Sequence, residues 1–209
     1  TPAWSITPPG TLGYQPPKLF GYEPERARAL LAEAGYPGGE GWPGLELIYN
    51  TSESHRKVAV ALQQMWKDVL GIEVTLSNQE WKVYLDSVSE MNFDMARRGW
   101  IGDYVDPNNF LDLYLSDGGN NNTGFSDPVY DEMILERAPQ AKTREERFRI
   151  FHAAETRLME EMPIIPVYTY ASKHLKHPSV KGLPPNLMDF VNFKTIRLEP
   201  VDVHEFEVP

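Results

Sequence analysis

The stretch FDMARRGWIGDYVDP, residues 93–107, combines a strand pattern with a group of side chains suited to holding a ligand. Up to Arg98 its residues alternate as those of a half-buried strand do, and the glycines and proline that follow end the pattern. A cation, an indole and a carboxylate lie at or just beyond the strand end: Arg97, Trp100 and Asp103. Such a group suits a zwitterion, held between an apolar wall and two opposite charges.

The residues before this stretch alternate between strand and helix patterns. LELIY (45–49) is typical of a short apolar strand, and a helix is predicted from a cap at Ser52 to a stop at Gly71. A second strand at 72–76 and a short helix within 78–91 follow. A succession of strand, helix and strand of this length is what a parallel crossover requires. We therefore predict an α/β fold with a mixed sheet flanked by helices.

The chain after residue 107 is mainly helical in pattern. One helix is predicted to start near Pro128 and to close at Pro139, and the longest begins at a capping box formed by Thr143 and Glu146. The run IIPVYTY (164–170) predicts a strand at a sheet edge, because its internal proline cannot donate to a central ladder.

Composition excludes several classes of function. The 209 residues include 30 acidic and 20 basic side chains, a formal net charge of −10, which argues against nucleic acid as a partner. There is no cysteine, so disulfides and thiolate chemistry are excluded. No apolar run approaches the roughly 18 residues that a bilayer span needs. The composition is that of a globular protein and leaves its compartment open.

Residues 1–23 are rich in proline and predict an extended connector lying across a surface. The chain also begins at Thr1 without an initiating methionine. We therefore expect it to have been cut from a longer precursor.

Two further side chains are candidates for contact with a ligand. His55 falls in the first turn of a helix that follows a strand end, where backbone donors and an imidazolium can bind a carboxylate together. Trp81 stands at a strand-to-helix boundary with polar neighbours. The simpler interpretations are a solvent-exposed histidine and a core tryptophan, and the residues alone leave both alternatives open.

The sequence contains little that indicates catalysis. No GxSxG, phosphate-binding or dinucleotide-binding motif occurs. Glu80 and the pair Asp103 and Asp106 could act as acid and base, but paired carboxylates in loops are mostly solvated. His174 and His177 lie in a loop beside two lysines, which favours solvation over a metal. We predict no catalytic residue, no metal ligand and no cofactor.

Several of these motifs, taken in order, resemble one family. The chain contains YNTSESHRKVAVALQQMWKDVLGIEVTL, NQEWKVYLDSV, FDMARRGWIGDYVDPNNFL and NNNTGFSDPVYDEMI. These strings are similar, in the same order, to the C-terminal half of periplasmic oligopeptide-binding and dipeptide-binding proteins of bacterial ABC importers, solute-binding protein family 5. The similarity runs from about residue 22 to residue 198.

The resemblance implies a type II periplasmic-binding fold, in which two α/β lobes close over a ligand. Residues 1–178 would form the second, C-terminal lobe, and residues 179–209 would be a return segment that packs on an N-terminal lobe absent from this chain. It further implies a solute-binding component that captures short peptides and delivers them to a membrane permease, without chemistry of its own. The implied location is periplasmic or extracytoplasmic, with a lipid anchor at the absent N-terminus as one form of it.

The resemblance also implies a role for each candidate side chain. Asp103 matches the aspartate that binds the α-amino group of a peptide, and Trp100 belongs to the same ligand-facing WxxD unit. Arg97 and His55 match positions that receive the C-terminal carboxylate at different peptide lengths. Trp81 matches a residue that lines a side-chain pocket.

Two rival functions remain at this point. Val88 stands where the best-known oligopeptide binders have a basic residue, and relatives of the family also bind dipeptides, nickel chelates, opines and oligosaccharides. One rival is therefore an oligosaccharide binder that stacks sugars on Trp81 and Trp100. The other is a hydrolase that uses Asp103 and His55. An aspartate at 103 favours an α-amino ligand, because a neutral sugar would leave a buried carboxylate without a cation.

Overall fold

A computed structural model describes residues 1–171, 173–184, 188 and 190–200. The helices in this part of the chain are α1 Pro24–Glu33, α2 Glu53–Leu70, α3 Trp81–Ser89, α4 Asn108–Leu111, α5 Pro128–Glu132, α6 Ala138–Gln140 and α7 Arg144–Glu161. The strands are β1 Leu45–Asn50, β2 Val74–Gln79, β3 Met95–Ala96, β4 Val180–Lys181 and β5 Arg197–Leu198.

The first three strands form one sheet in the order β2-β1-β3, and both pairings are parallel. Leu45 pairs with Val74 across β1 and β2, while Leu47 pairs with Met95 across β1 and β3. The α/β prediction is therefore confirmed. The antiparallel pairing lies in a separate two-stranded sheet made by β4 and β5, which both come from the predicted return segment.

The central strand is buried on both faces, as its continuous apolar run predicts. Leu47 and Tyr49 pack with Ala59 of α2 on one face, and Ile48 packs with Tyr84 of α3 on the other. Successive side chains of a strand point to opposite faces, so the two helices must cover opposite sides of the sheet.

A second core lies among the helices after residue 107 and the N-terminal segment. Its fully buried members are Tyr14, Leu111, Tyr130, Ile134, Ala138, Phe151, Ala154 and Leu158. Residues 1–23 contain no helix longer than a 3₁₀ turn at Thr11–Gly13, as a connector would, but they bend at residues 4–7 and do more than connect. Because Tyr14 is 1% exposed, the segment forms part of the core.

A buried carboxylate ties this segment to the longest helix. Glu155 of α7 is fully buried. It accepts hydrogen bonds from Ser5 Oγ (2.5 Å), the backbone N–H of Thr7 (2.8 Å) and the hydroxyl of Tyr14 (2.8 Å). Burial raises the pKa of Glu155, although these hydrogen bonds oppose the increase. The burial of an acid on the apolar face of α7 is thus explained by hydrogen-bond donors from the N-terminal segment.

Two element predictions after residue 107 were wrong in detail. The helix at Pro128 does not close at Pro139, since α6 runs through it to Gln140. A π-helical turn, Met133–Arg137, comes directly before, and its wider spacing keeps the proline ring away from a preceding carbonyl. Residues 164–170 form only one bridge, between Tyr168 and Pro2, because prolines in both segments remove backbone donors.

The end of α2 is fixed by a close backbone contact. Gly71 has φ +71°, and a Cβ at this position would lie 2.2 Å from the carbonyl oxygen of Gly38. A Cβ on Gly39 would lie 2.3 Å from the oxygen of Gly71. Neither glycine therefore tolerates a side chain, and the glycine-rich loop packs directly on the helix end. None of the helices within the described ranges has the length and apolar character needed to cross a membrane.

Candidate functional site

Three of the five predicted site residues follow the three strands of the parallel sheet. His55 lies in the first turn of α2 after β1, Trp81 begins α3 after β2, and Arg97 directly follows β3. The carboxyl ends of parallel strands meet at one edge of a sheet, which is where open α/β folds commonly bind ligands. Trp100 and Asp103 continue the chain from that edge.

Arg97 is fixed through its backbone and carries a free charge. Its N–H donates to the carbonyl of Ile48 (2.9 Å), and its own carbonyl accepts from the Tyr84 hydroxyl. The guanidinium donates to the hydroxyl of Tyr170 and lies 5.9 Å from the centre of that ring. The ion pairs found within residues 1–171, 173–184, 188 and 190–200 do not include Arg97. The cation is therefore available to an anion from outside this part of the chain.

Tyr84 and Tyr170 were both missed at the level of sequence. Tyr84 falls within the short helix predicted for residues 78–91. Tyr170 is 73 residues from Arg97, and no local pattern connects them. A tyrosine at the end of an apolar run is the only signal that the chain offers.

His55 is half-buried and held by the last residue of β1. Its Nδ1 lies 2.9 Å from Asn50 Oδ1, so this nitrogen carries the proton and Nε2 is unprotonated in the neutral ring. Burial, and then the positive charge of Arg97, lower the pKa of His55, while the hydrogen bond with Asn50 opposes them. Both effects favour the neutral ring over the imidazolium in the free chain.

This environment makes a prediction about pH. A ligand carboxylate placed near Arg97 and His55 offsets the charge of Arg97 and gives Nε2 an acceptor, so it raises the pKa of His55. Affinity for such a ligand should then increase as the pH falls toward that pKa. An NMR titration of the imidazole with and without ligand measures the shift, with the exposed His152 as internal control. An unchanged pKa at His55 would remove this residue from the site.

Trp81 is not a core residue. Its side chain is 55% exposed and stacks on Tyr84, with ring centroids 5.9 Å apart and planes inclined by 20°. Tyr84 in turn contacts the backbone of Arg97. One face of the indole thus packs on Tyr84, and the rest of its surface is exposed at the carboxyl edge of the sheet.

Asn109 holds Trp100 and Asp103 in place. The Asn109 side chain is buried, and its Oδ1 accepts from Trp100 Nε1 (2.9 Å) and from the backbone N–H of Asp103 (3.2 Å). Asp103 is exposed, and its carboxylate has no ion pair within the described part of the chain. Sequence reasoning missed Asn109, although a polar residue directly before the apolar pair Phe110 and Leu111 was a usable signal.

Asp106 has a structural role. Its carboxylate binds Arg147 through two contacts of 2.6 and 2.9 Å and accepts from the N–H of Asn108 (2.9 Å) at the start of α4. The suggestion that Asp103 and Asp106 form an acid–base pair is therefore wrong, and Asp103 is the carboxylate left free. Among the residues described, no group of three or more histidine and acid side chains is placed to hold a metal.

The fold and this edge define a class: an α/β lobe that presents charged and aromatic side chains beyond the carboxyl ends of a parallel sheet, as solute-binding lobes do. The chain belongs to the bacterial extracellular solute-binding proteins, family 5, whose middle region matches residues 1–122.

Known proteins of this kind are similar over most of the chain. The periplasmic murein peptide-binding protein MppA of Escherichia coli is 43% identical over 191 residues, which are 88% of this chain and 35% of that protein. The solved structure of the Escherichia coli murein tripeptide binding protein MppA superposes with a TM-score of 0.81 at 41% identity, covering 94% of this chain and 40% of that one.

A second solved structure is that of Haemophilus influenzae OppA in complex with RPPGFSPFR. It superposes with a TM-score of 0.80 at 33% identity, covering 95% of this chain and 40% of that one. The chain thus spans about a third of the length of the curated relatives it matches.

Proposed function

We propose that this chain is the second lobe of an extracytoplasmic solute-binding protein that binds short peptides by their charged ends and backbone. Asp103 binds the α-ammonium group, Arg97 and His55 bind the C-terminal carboxylate, and Trp100 and Trp81 line the space between. The lobe carries out no catalysis and uses no cofactor. It delivers its peptide to an ABC permease in the membrane.

The observation that carries this proposal is a pair of opposite charges left without partners at one edge of the sheet. Some exposed acids and bases of the described chain, such as Glu53 with Lys57 and Lys67 with Glu73, lie in ion pairs with each other. Arg97 and Asp103 do not, although only six residues separate them. Two fixed and unpaired charges of opposite sign suit a zwitterion.

A peptide fits this arrangement better than other zwitterions do. Peptides of any sequence share two charged ends and a repeating backbone, so a general binder fixes those and leaves the side chains in roomy, hydrated pockets. The names of the relatives agree with this, since MppA is called a murein peptide-binding protein and the OppA structure contains a nine-residue peptide.

The proposed architecture assigns residues 1–178 to this lobe and residues 179–209 to a segment that packs on an N-terminal lobe. The pairing of β4 with β5, apart from the parallel sheet, supports the division. So does the exposure of Phe193 and Leu198, at 79% and 76%. Residues 185–187, 189 and 201–209 of that segment lie outside the described residues. The partners are a short peptide, the N-terminal lobe and the permease, and the location is periplasmic or extracytoplasmic, with a lipid anchor on the full protein.

Calorimetric titration of the natural full-length gene product with tri- to pentapeptides tests the proposal. We expect saturable binding, and mass spectrometry should recover the peptides intact. Binding of oligosaccharides but not peptides, lost in Trp81→Ala, would replace the proposal with the sugar-binding rival. Turnover of the peptide, abolished by His55→Ala, would replace it with the hydrolase.

A further inference from the structure

A small cavity opens beside Asp103, and all the residues that line it come after Arg97 in the sequence. Its volume is about 300 Å³, at the lower end of the size range of small-molecule sites. Its walls include Trp100, Asp103, Tyr104, Asn109, Asp112 and Leu115. We call this space the Asp103 cavity. It contains two carboxylates but no basic side chain.

Asn109 presents an unsatisfied donor to the Asp103 cavity. The side chain is 3% exposed, and two donors, Trp100 Nε1 and the N–H of Asp103, both require its oxygen. The amide orientation is therefore fixed, with Nδ2 turned away from them. No hydrogen bond to Nδ2 occurs within the described residues. Because Asn109 lines the Asp103 cavity and its Nδ2 is not used by the protein, this amide can donate to an acceptor of a ligand.

Asp112 is the second carboxylate of the Asp103 cavity and lacks a cation. It accepts from Asn108 Nδ2 at 3.3 Å, and no ion pair of the described chain includes it. Burial raises the pKa of Asp112, a hydrogen bond from Tyr104 opposes this, and the charge of Asp103 adds to the increase. The ionised carboxylate is thus destabilised in the empty cavity, and a cation bound there would relieve it.

We propose that the Asp103 cavity selects peptides whose first residue is basic. Asp103 binds the α-ammonium group, Asn109 Nδ2 donates to the first carbonyl oxygen, and Asp112 binds the ammonium or guanidinium of the first side chain. The ammonium and carbonyl of one residue are neighbours, as Asp103 and Asn109 are. This inference rests on the proposed function and names the ligand class of the same site.

Two peptides matched in length separate this inference from the proposed function. The natural gene product is titrated with Lys-Ala-Ala-Ala and with norleucyl-Ala-Ala-Ala, which keeps the alkyl chain and lacks the charge. We expect the lysyl peptide to bind about tenfold more tightly, as one added charge-assisted contact allows. In Asp112→Asn, whose side chain keeps its shape, the ratio should fall below about threefold.

Asp117→Asn is the matched control, since Asp117 is exposed in the adjacent loop and does not line the cavity. It should preserve the ratio. Equal affinities for the two peptides in the unaltered protein, or a preference that survives Asp112→Asn, would overturn the inference and leave peptide binding intact. Failure of both peptides to bind would overturn the proposed function with it.

Discussion

Replacing Asp103 by alanine in the natural gene product is expected to weaken the binding of tri- to pentapeptides by about 30-fold or more. Removing one partner of a charged pair that is buried in a complex commonly costs about 2–5 kcal/mol, and 2 kcal/mol corresponds to roughly 30-fold. In this lobe Asp103 is exposed, with its backbone held by Asn109. In the proposed two-lobe protein, an opposing lobe that closes over the ligand would bury this charge, so the loss of affinity should be large there.

Two further variants separate the charge of Asp103 from its shape. Asp103→Asn keeps a hydrogen-bond acceptor without the charge and should give an intermediate loss. Asp68→Asn is the control, because Asp68 is exposed near the end of α2 farthest from His55 and its carboxylate accepts from Gln64 (2.8 Å). It should change the affinity by less than about twofold. Isothermal titration calorimetry measures all three, and an unchanged affinity in Asp103→Ala would remove the assignment of the ammonium site.

Glu155→Ala is expected to lower the free energy of unfolding by about 3 kcal/mol, since it strands three buried donors and leaves a cavity. The donors belong to Ser5, Thr7 and Tyr14, which anchor the N-terminal segment on α7. Glu155→Gln should cost much less, because the amide oxygen keeps two of these contacts and its nitrogen can donate to the tyrosine oxygen. Urea unfolding measures both, with the exposed Glu160→Ala as control.

The pH dependence of this site has a definite sign. Burial raises the pKa of Glu155 above its ordinary value of 4.5, so between 4.5 and the folded pKa the folded state holds a proton that the unfolded state has lost. Stability from this group therefore falls as the pH rises through that window. The protein with Glu155 should lose stability relative to Glu155→Gln over the same range. Parallel pH profiles for the two proteins would contradict a buried, proton-binding carboxylate.

Local patterns located the elements that build the sheet, although β2 runs over Val74–Gln79 and not over the predicted 72–76. Apolar continuity identified β1, and the cap at Ser52 with the glycine at Gly71 bounded α2 to within a residue. The strand after residue 93 was predicted too long, since only Met95–Ala96 pairs with β1. Its alternation was real, but pairing depends on a partner strand that the local sequence does not contain.

Contacts between distant residues were beyond prediction. Tyr14 bonds to Glu155 across 141 residues, and neither has a sequence signal for the other. Asn109 and Tyr170 likewise act on the site from outside the stretch that drew attention to it. The sequence and the family resemblance identified which side chains carry charge and aromatic surface at the carboxyl edge. The structure shows which groups hold these side chains in place. It also shows that one of the acids, Asp106, is already in an ion pair.

The central claim is that Asp103 binds a free α-ammonium group, and acetylation of the ligand tests it most directly. The natural gene product and its Asp103→Ala variant are titrated with a short peptide that has a free amino terminus and with the same peptide acetylated there. We predict that acetylation weakens binding to the unaltered protein by about 30-fold or more and has little effect on the variant. Equal affinity of the unaltered protein for both peptides would contradict the account.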